Sequence, residues 1–365
     1  MQTITVQLDQ ERTYPIYIGR GLLPEAGNYF RQHGISSKSP LLIVADDNTA
    51  PRYLKILEDS LREQGYTTVA SIVKAGETSK SLTVYEQVIT TALEAGLNRS
   101  SAVIALGGGV VGDLAGFVAA SFMRGIKFIQ VPTTILAHDS SVGGKVGINH
   151  PLAKNMIGAF HQPELVLYDV DTLLTLPPRE VSAGLSEMLK HGLIWDEAFA
   201  YWCLEHTEEL LALQPDALEY GLGQGCAVKA AVVSQDEREE GLRAILNLGH
   251  TIGHAIEAIA GYGEFLHGEA ISIGMVGSAL LGVRLGADPS LAVETRNMLK
   301  ALKLPTVLPK HLATEQLLTA MMHDKKFKEG VVTFVVPRAM GRVDIVKDIS
   351  IEIVREVIEQ LREEE

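Results

Sequence analysis

Ser101-Ala102-Val103-Ile104-Ala105-Leu106-Gly107-Gly108-Gly109-Val110-Val111-Gly112-Asp113 carries a short apolar run into a glycine-rich turn and on toward a helix. The run has the length and composition of a buried strand. The turn satisfies the letters G-x-G-x-x-G. Glycines at such a bend let backbone approach a pyrophosphate, and a helix N-terminus offers unpaired N–H groups and positive dipole. By itself the motif is also compatible with a plain tight turn. An acid about 20 residues downstream would complete the usual fingerprint, but Lys127-Phe128-Ile129-Gln130 stands there.

Outward from this turn, strands alternate with helices. Leu41–Asp46, Thr68–Val73, Ser101–Leu106, Lys127–Val131 and Leu165–Val170 read as strands. Tyr53–Gln64, Leu82–Ala95 and a segment from Asp113 read as helices. This alternation predicts a mostly parallel sheet covered by helices. Ile4–Leu8 and Tyr14–Ile18 read as two edge strands ahead of it. The missing acid is expected upstream instead, at Asp46 in Asp46-Asp47-Asn48, where a strand end could grip a ribose diol. A helix cap or a turn residue is the competing reading of Asp46. Gly76-Glu77-Thr78-Ser79-Lys80 closes the next strand. Three polar strand ends in succession favour a cofactor cleft.

After Leu176-Pro177-Pro178 the periodicity becomes helical and stays so to about Met322. A hairpin follows, Val331–Val336 with Arg342–Val346 around Pro337–Gly341, and then a helix from Ile351 capped by Ser350. The expected organisation is an α/β Rossmann-like domain over 1–178 and a mainly helical domain over 179–365.

The 365 residues are 46% hydrophobic and 21% charged, with net charge −13. That balance argues against a general nucleic-acid surface. It leaves room for a small anionic substrate bound by a few local cations. Cys203 and Cys226 fit no metal spacing or disulfide framework and read as reduced core thiols. With no basic-then-apolar leader and no apolar stretch long enough to span a bilayer, a cytoplasmic location is expected.

The helical half contains Gly249-His250-Thr251-Ile252-Gly253-His254-Ala255, then His267-Gly268-Glu269, and upstream Ser186-Glu187-Met188-Leu189-Lys190-His191. His250 and His254, four apart, share a helical face. One Glu and two His with an open position make a catalytic divalent-metal set, with zinc the first expectation. Spacing leaves open which histidine binds metal and which serves the substrate. A second group of residues suits an anion. It comprises the long small-residue loop Val131-Pro132-Thr133-Thr134 through Asp139 and Gly143-Gly144-Lys145 to Asn149, then Lys154, Asn155, Lys229, Arg243, Asn247 and Asp324-Lys325-Lys326.

Together these segments resemble the 3-dehydroquinate synthase family of sugar-phosphate cyclases. The matching residues are Asp46-x-Asn48, Gly76-Glu77-x-x-Lys80, Gly107 to Asp113, Phe122-Met123-Arg124-Gly125, Gly143-Gly144-Lys145, Lys154-Asn155-x-Ile157-Gly158, Ser186-Glu187-x-x-Lys190-His191-Gly192, Asn247-x-Gly249-His250-x-x-Gly253-His254, His267-Gly268-Glu269-Ala270 and Asp324-Lys325-Lys326. The resemblance implies conversion of 3-deoxy-D-arabino-heptulosonate 7-phosphate to 3-dehydroquinate and phosphate in the shikimate route. It implies transient oxidation at C5 by NAD, β-elimination of phosphate, re-reduction, ring opening and aldol closure.

It also implies roles for single residues. Glu187, His250 and His267 would bind zinc or cobalt. Asp139, Lys145, Lys190 and His254 would be catalytic. Arg124, Asn155, Lys229, Arg243, Asn247 and Lys326 (or Lys325) would bind substrate. Asp46, Asn48, Glu77, Lys80, Gly108, Gly109, Val110, Asp113, Thr133, Thr134, Lys145, Lys154 and Thr175 would contact NAD. Arg124 would reach a partner subunit in a homodimer. The rivals are another sugar-phosphate cyclase, a metal-dependent alcohol dehydrogenase, and a non-catalytic binding protein. Arg243, Asn247 and the double lysine favour an acid substrate over the first. The second leaves Lys145, Lys229 and Arg243 unexplained. No expected catalytic position is missing, which weighs against the third.

Overall fold

The computed structural model describes residues 1–261, 263–323 and 332–363. Strands β1 (Gln2–Gln7) and β2 (Thr13–Gly19) lead into α1 (Ala26–Gln32). There follow β3 (Leu41–Asp46), α2 (Ala50–Glu63), β4 (Thr68–Val73), α3 (Leu82–Glu94), β5 (Ala102–Gly107), α4 (Gly109–Ser121) and β6 (Lys127–Pro132). A short α5 (Ala137–Ser140), the hairpin strands β7 (Lys145–His150) and β8 (Ala153–Phe160), and β9 (Leu165–Asp169) complete this part. The expected α/β half is therefore present. Its sheet runs β1-β2-β9-β6-β5-β3-β4, parallel throughout except for the antiparallel edge pair β1–β2.

Order decides where a ligand can sit. From β3 the chain first adds β4 on one side, then returns to place β5 on the other. The β3–β5 junction is thus a topological switch point, and in open α/β sheets ligands bind outside the carboxyl ends of strands at such points. Asp46 ends β3 and Gly107 ends β5, with Ala45 opposite Leu106. Every residue of β5 is buried. Leu41, Ile43, Ala45, Ile104 and Leu106 pack into one core layer, while Leu42, Val44, Val103 and Ala105 pack into the other. Burial on both faces explains why these strands read as continuous apolar runs rather than alternating ones.

The remaining elements are α6 (Pro178–Trp195), α7 (Glu197–Glu205), α8 (Thr207–Leu211), α9 (Pro215–Gln235), α10 (His250–Ala260), α11 (His267–Arg284), α12 (Ser290–Ala301), α13 (Thr314–His323), the hairpin β10 (Thr333–Ala339) and β11 (Arg342–Lys347), and α14 (Ile351–Gln360). Ser350 caps α14 through its side chain, accepting from the Ile353 N–H. No helix among the described residues is long and apolar enough to cross a membrane.

Several expectations need correction. The chain divides into Met1–Leu176 with Leu218–Arg238, and Pro177–Ala217 with Glu239–Glu365. A single cut at 178 therefore misassigns most of α9, which returns to the first unit. Leu218, Leu222, Cys226, Lys229 and Val233 form its buried stripe, and the Met1 ammonium meets Glu219 at 2.9 Å. Tyr14–Ile18 lies inside the sheet against β9, so only β1 is an edge on that side. Helix α4 starts at Gly109, four residues before the expected Asp113. The supposed loop to Asn149 contains α5 and β7. Pro337 belongs to β10, so the turn of that hairpin is tighter than expected. Asp324, Lys325, Lys326 and Val331 lie outside the described residues.

Candidate active site

In the first unit, Gly108 is the N-cap of α4, with ordinary extended backbone (φ −79°, ψ −169°). Glycine is needed here for space. A Cβ at Gly108 would stand 2.9 Å from Thr134 Cγ2, one at Gly109 3.0 Å from Ser140 Oγ, and one at Gly107 2.7 Å from Val111 Cγ2. The turn therefore closes tightly, and the first amides of α4 lack intrahelical acceptors as in any helix. That is a site suited to phosphate.

Beside it, Lys80 is only 4% exposed. Its Nζ donates to Asp113 Oδ2 at 2.6 Å and to Asn155 Oδ1, with Glu77 Oε1 at 3.6 Å. Burial works against the lysine charge, but the carboxylates of Asp113 and Glu77 outweigh it and hold the pKa above the usual value. Burial raises Asp113 in turn, opposed by Lys80. Asn149, which sequence reasoning did not single out, ties the cluster together. Its Nδ2 donates to Glu77 Oε1 at 2.8 Å and its Oδ1 accepts from the Asn155 N–H at 2.7 Å. Four expected residues, Glu77, Lys80, Asp113 and Asn155, are thus joined in one network.

Others stand differently. Asp46 Oδ1 accepts from the Asn48 and Thr49 N–H groups at 3.0 and 2.8 Å, so it closes a turn as the competing reading held. Thr175 meets the Tyr53 hydroxyl at 2.7 Å. Thr133 is buried and donates its N–H to Gly107 O at 3.0 Å. Lys145 on β7 and Lys154 on β8 are exposed. Lys229 on α9 pairs with Asp139 Oδ2 at 2.9 Å and also donates to the Asp139 carbonyl. Arg124 follows Met123 in an exposed turn where both hold positive φ, 70° and 50°.

In the second unit, glycine contacts bring α6, α10 and α11 together. A Cβ at Gly268 would fall 1.9 Å from Ala183 O, one at Gly274 2.0 Å from Gly249 O, and one at Gly249 2.8 Å from Ile271 O. Gly249 also takes a left-handed φ of 78° at the N-cap of α10. These approaches put Glu187 of α6, His250 of α10 and His267 of α11 in one place, their ligand atoms all within 4.8 Å of one another.

The side chains are oriented as a metal requires. Lys190 Nζ donates to Glu187 Oε2, both residues about 1% exposed. Glu187 Oε1 is buried without a hydrogen-bond partner, and the Nε2 atoms of His250 and His267 each lie 3.7 Å from it. An orphaned carboxylate oxygen in such a place is costly unless something cationic shares the space. His250 Nδ1 meets Leu248 O at 3.0 Å and His267 Nδ1 meets Glu257 Oε2 at 3.2 Å. Acceptors at Nδ1 hold the proton there and turn each Nε2 lone pair toward Glu187, as in metal-bound histidines. The donor set of one carboxylate and two imidazoles fits zinc or cobalt. Burial opposes a charge on His267, but the hydrogen bond and charge of Glu257, with Glu187, raise its pKa. Breaking the buried Glu187–Lys190 pair by removing one partner would cost about 3–5 kcal/mol.

His254 packs against both other rings, with centroids 5.2 Å from His250 and 5.9 Å from His267. With Glu257 and His267 it forms a second possible trio. Glu257 was missed in the sequence although it lies seven residues after His250, on the face shared with His254. Arg243 is 2% exposed, and Asn247 Nδ2 donates to Glu239 Oε1 at 2.6 Å.

A family profile described as 3-dehydroquinate synthase N-terminal matches residues 70–183, and its C-terminal counterpart matches 184–327. The 3-dehydroquinate synthase of Desulforamulus reducens is 48% identical over 352 residues, covering 96% of this chain and 97% of that protein. The chain belongs to the 3-dehydroquinate synthase family. Solved structures extend the family relationship to other cyclases. A 2-deoxy-scyllo-inosose synthase in complex with carbaglucose-6-phosphate, NAD+ and Co2+ has a TM-score of 0.90 at 25% identity, over 98% of this chain and all of that one (100%). The 2-epi-5-epi-valiolone synthase of Streptomyces hygroscopicus subsp. jinggangensis, with NAD+ and Zn2+ bound, has a TM-score of 0.87 at 25% identity over 98% of both chains.

Proposed function

We infer that this chain catalyses the reaction of its family, conversion of 3-deoxy-D-arabino-heptulosonate 7-phosphate to 3-dehydroquinate and phosphate, as a cytoplasmic lyase (EC 4.2.3.4) of aromatic amino acid biosynthesis. The observation that carries the reading, alongside near full-length identity of 48%, is the buried, unpaired Glu187 Oε1 facing two imidazole Nε2 atoms. When bound, NAD supplies a reversible hydride acceptor and a divalent metal supplies a Lewis acid for the hydroxyl to be oxidised.

The chain's own residues do the rest. Glu187, His250 and His267 hold the metal, with Lys190, Leu248 O and Glu257 fixing their orientation. Asp46, Asn48, Glu77, Lys80, Asp113 and Thr175, the Gly108–Val110 turn and Thr133-Thr134 serve NAD. The switch point between β3 and β5 supports that assignment. Lys145, Asn155, His254 and Lys326 serve the phosphate, where fixed positive charge stabilises the departing dianion, and Lys154, with Lys145, serves NAD. Arg243 and Lys229 take the carboxylate and Asn247 binds substrate, while Asp139 and Lys190 orient hydroxyls. A homodimer brings Arg124 to the site of the partner subunit. The exposed, positive-φ turn at Met123-Arg124 supports a residue held for an outward contact.

The test is phosphate release from the heptulosonate phosphate with NADH followed in parallel. The expected result is catalytic phosphate release without NADH accumulation, abolished by a chelator and restored by zinc or cobalt. Stoichiometric NADH would identify a dehydrogenase and overturn the reading.

A further inference from the structure

Three contacts between α6 and the first turn of α11 line up. On α6, Arg179, Ala183 and Glu187 are spaced by four and share a face. On α11, the consecutive residues Glu269, Gly268 and His267 meet them in order. Arg179 grips Glu269 with two parallel bonds, Nε to Oε1 and Nη2 to Oε2, both 2.6 Å. Gly268 sits against Ala183 O. His267 Nε2 faces Glu187 Oε1. Two further bonds tie the same clamp to the chain just before His267. Glu269 Oε2 accepts the Leu266 N–H at 2.8 Å, and Arg179 Nη2 donates to Glu264 O at 2.7 Å.

We propose that Arg179 and Glu269 are positioning residues for the metal centre, a bidentate clamp that fixes the register of α11 on α6 and so sets His267 opposite Glu187. The inference rests on the metal reading above. The clamp lies two turns from Glu187, about 12 Å along α6, and touches none of the three ligands through its charged groups. The Arg179 side chain is 52% exposed and that of Glu269 13%, and a pair open to solvent on its arginine side adds less to global stability than a fully buried one. Its planar fork, by contrast, fixes geometry in a way a point charge does not. The clamp therefore acts on metal affinity far more than on folding. Residues outside a metal's own ligands that orient them are commonly worth 10–100-fold in affinity.

The experiment is zinc competition against a chromophoric chelator on the full chain, with thermal unfolding of the metal-free protein measured alongside. Arg179→Ala and Glu269→Gln are each expected to weaken zinc binding about 10–100-fold while metal-free unfolding stays near that of the parent. The double variant should be no worse than the poorer single. Arg179→Lys should recover only part of the loss, because it restores charge without the fork. Glu187→Gln is the control for the site itself. Loss of zinc in Glu187→Gln with parental affinity in both clamp variants would overturn the clamp and leave the metal reading intact. Parental affinity in Glu187→Gln would overturn the metal reading. A loss in Arg179→Ala that Arg179→Lys restores fully, or that merely follows a fall in metal-free stability, would also refute the clamp.

Discussion

Replacing Gly268 by alanine is the sharpest probe of how the proposed metal centre is built. The added Cβ would stand 1.9 Å from Ala183 O, 2.6 Å from Ala183 C and 2.6 Å from Ser186 Oγ. Real Cβ contacts essentially never fall under 3.0 Å, so the two backbones must part by at least 1.1 Å. The atom struck is a main-chain carbonyl, in a helix whose residues from Val181 to Ile194 are all buried, so no flexible side chain can yield. Metal–ligand distances tolerate only about 0.2 Å, and His267 is the neighbour of Gly268. A separation of this size therefore carries one ligand out of reach. Zinc affinity should fall at least ~100-fold, and kcat/KM should fall by a similar factor, since a misplacement of about 1 Å near reacting groups costs about that much. Overpacking should also lower metal-free stability by about 1–3 kcal/mol. Chelator competition and urea unfolding without metal read the two effects separately. A Gly268→Ala protein that binds zinc within threefold of the parent, at parental stability, would refute the idea that this close approach sets the ligand geometry.

Three further outcomes follow from the site. His254→Ala should keep zinc while His250→Ala should lose it, by metal analysis after dialysis; loss from both would overturn the assignment, and the reverse pattern would shift the centre to the His254–Glu257–His267 trio. Arg243→Ala should weaken substrate binding by 10-fold or more, as expected of about 1.5–3 kcal/mol for a hydrogen bond to a charged group, while calorimetry finds NAD affinity close to parental; equal loss of both would show that residue is misassigned. Burial pushes the Cys226 thiol up to about 12 and raises Cys203 as well, so a thiol-specific chromogenic reagent should label neither in the native protein at pH 8 and both in denaturant. Labelling of either one under native conditions would contradict the packing described here.

The sheet was legible because its inner strands are buried on both faces and bounded by polar ends. Leu41–Asp46 and Thr68–Val73 could be read to the residue. The start of α4 was not, because glycines at Gly109 and Gly112 lower helix propensity and masked a turn already helical. Strands β7 and β8 were hidden by their composition: Gly147 and Gly158 stand directly opposite each other there, each Cβ position closed by the other strand's backbone. The return of α9 to the first unit depends on contacts such as Cys226 Sγ to His138 O at 3.6 Å, which local pattern cannot reveal. In the candidate site, the histidine spacing disclosed a metal set but could not choose its members. The hydrogen bonds at Nδ1 of His250 and His267 support the choice of those two, and one of them comes from Glu257, whose place on the helical face was readable.

The glycines of the second unit have a thermodynamic consequence that bears on why the site takes this form. Gly253, Gly268 and Gly274 lie within α10 and α11, and each costs about 1 kcal/mol in helix propensity relative to alanine. An isolated helix would be more stable with alanine there. Every one of these positions instead faces the backbone of a neighbouring helix: Gly253 faces Ala270 O at 3.1 Å, Gly268 faces Ala183 O, and Gly274 faces Gly249 O. The three proposed ligands come from three separate helices, with Glu187 and His267 eighty residues apart in the chain. No local segment can form such a centre, so its geometry is only as accurate as the helix packing. Close backbone contact is the most rigid packing available, because it leaves no side-chain rotamer to absorb a shift. The propensity lost at the glycines is therefore offset by close helix packing, which would fix the geometry of the proposed metal site before an ion arrives, the condition for tight and selective binding.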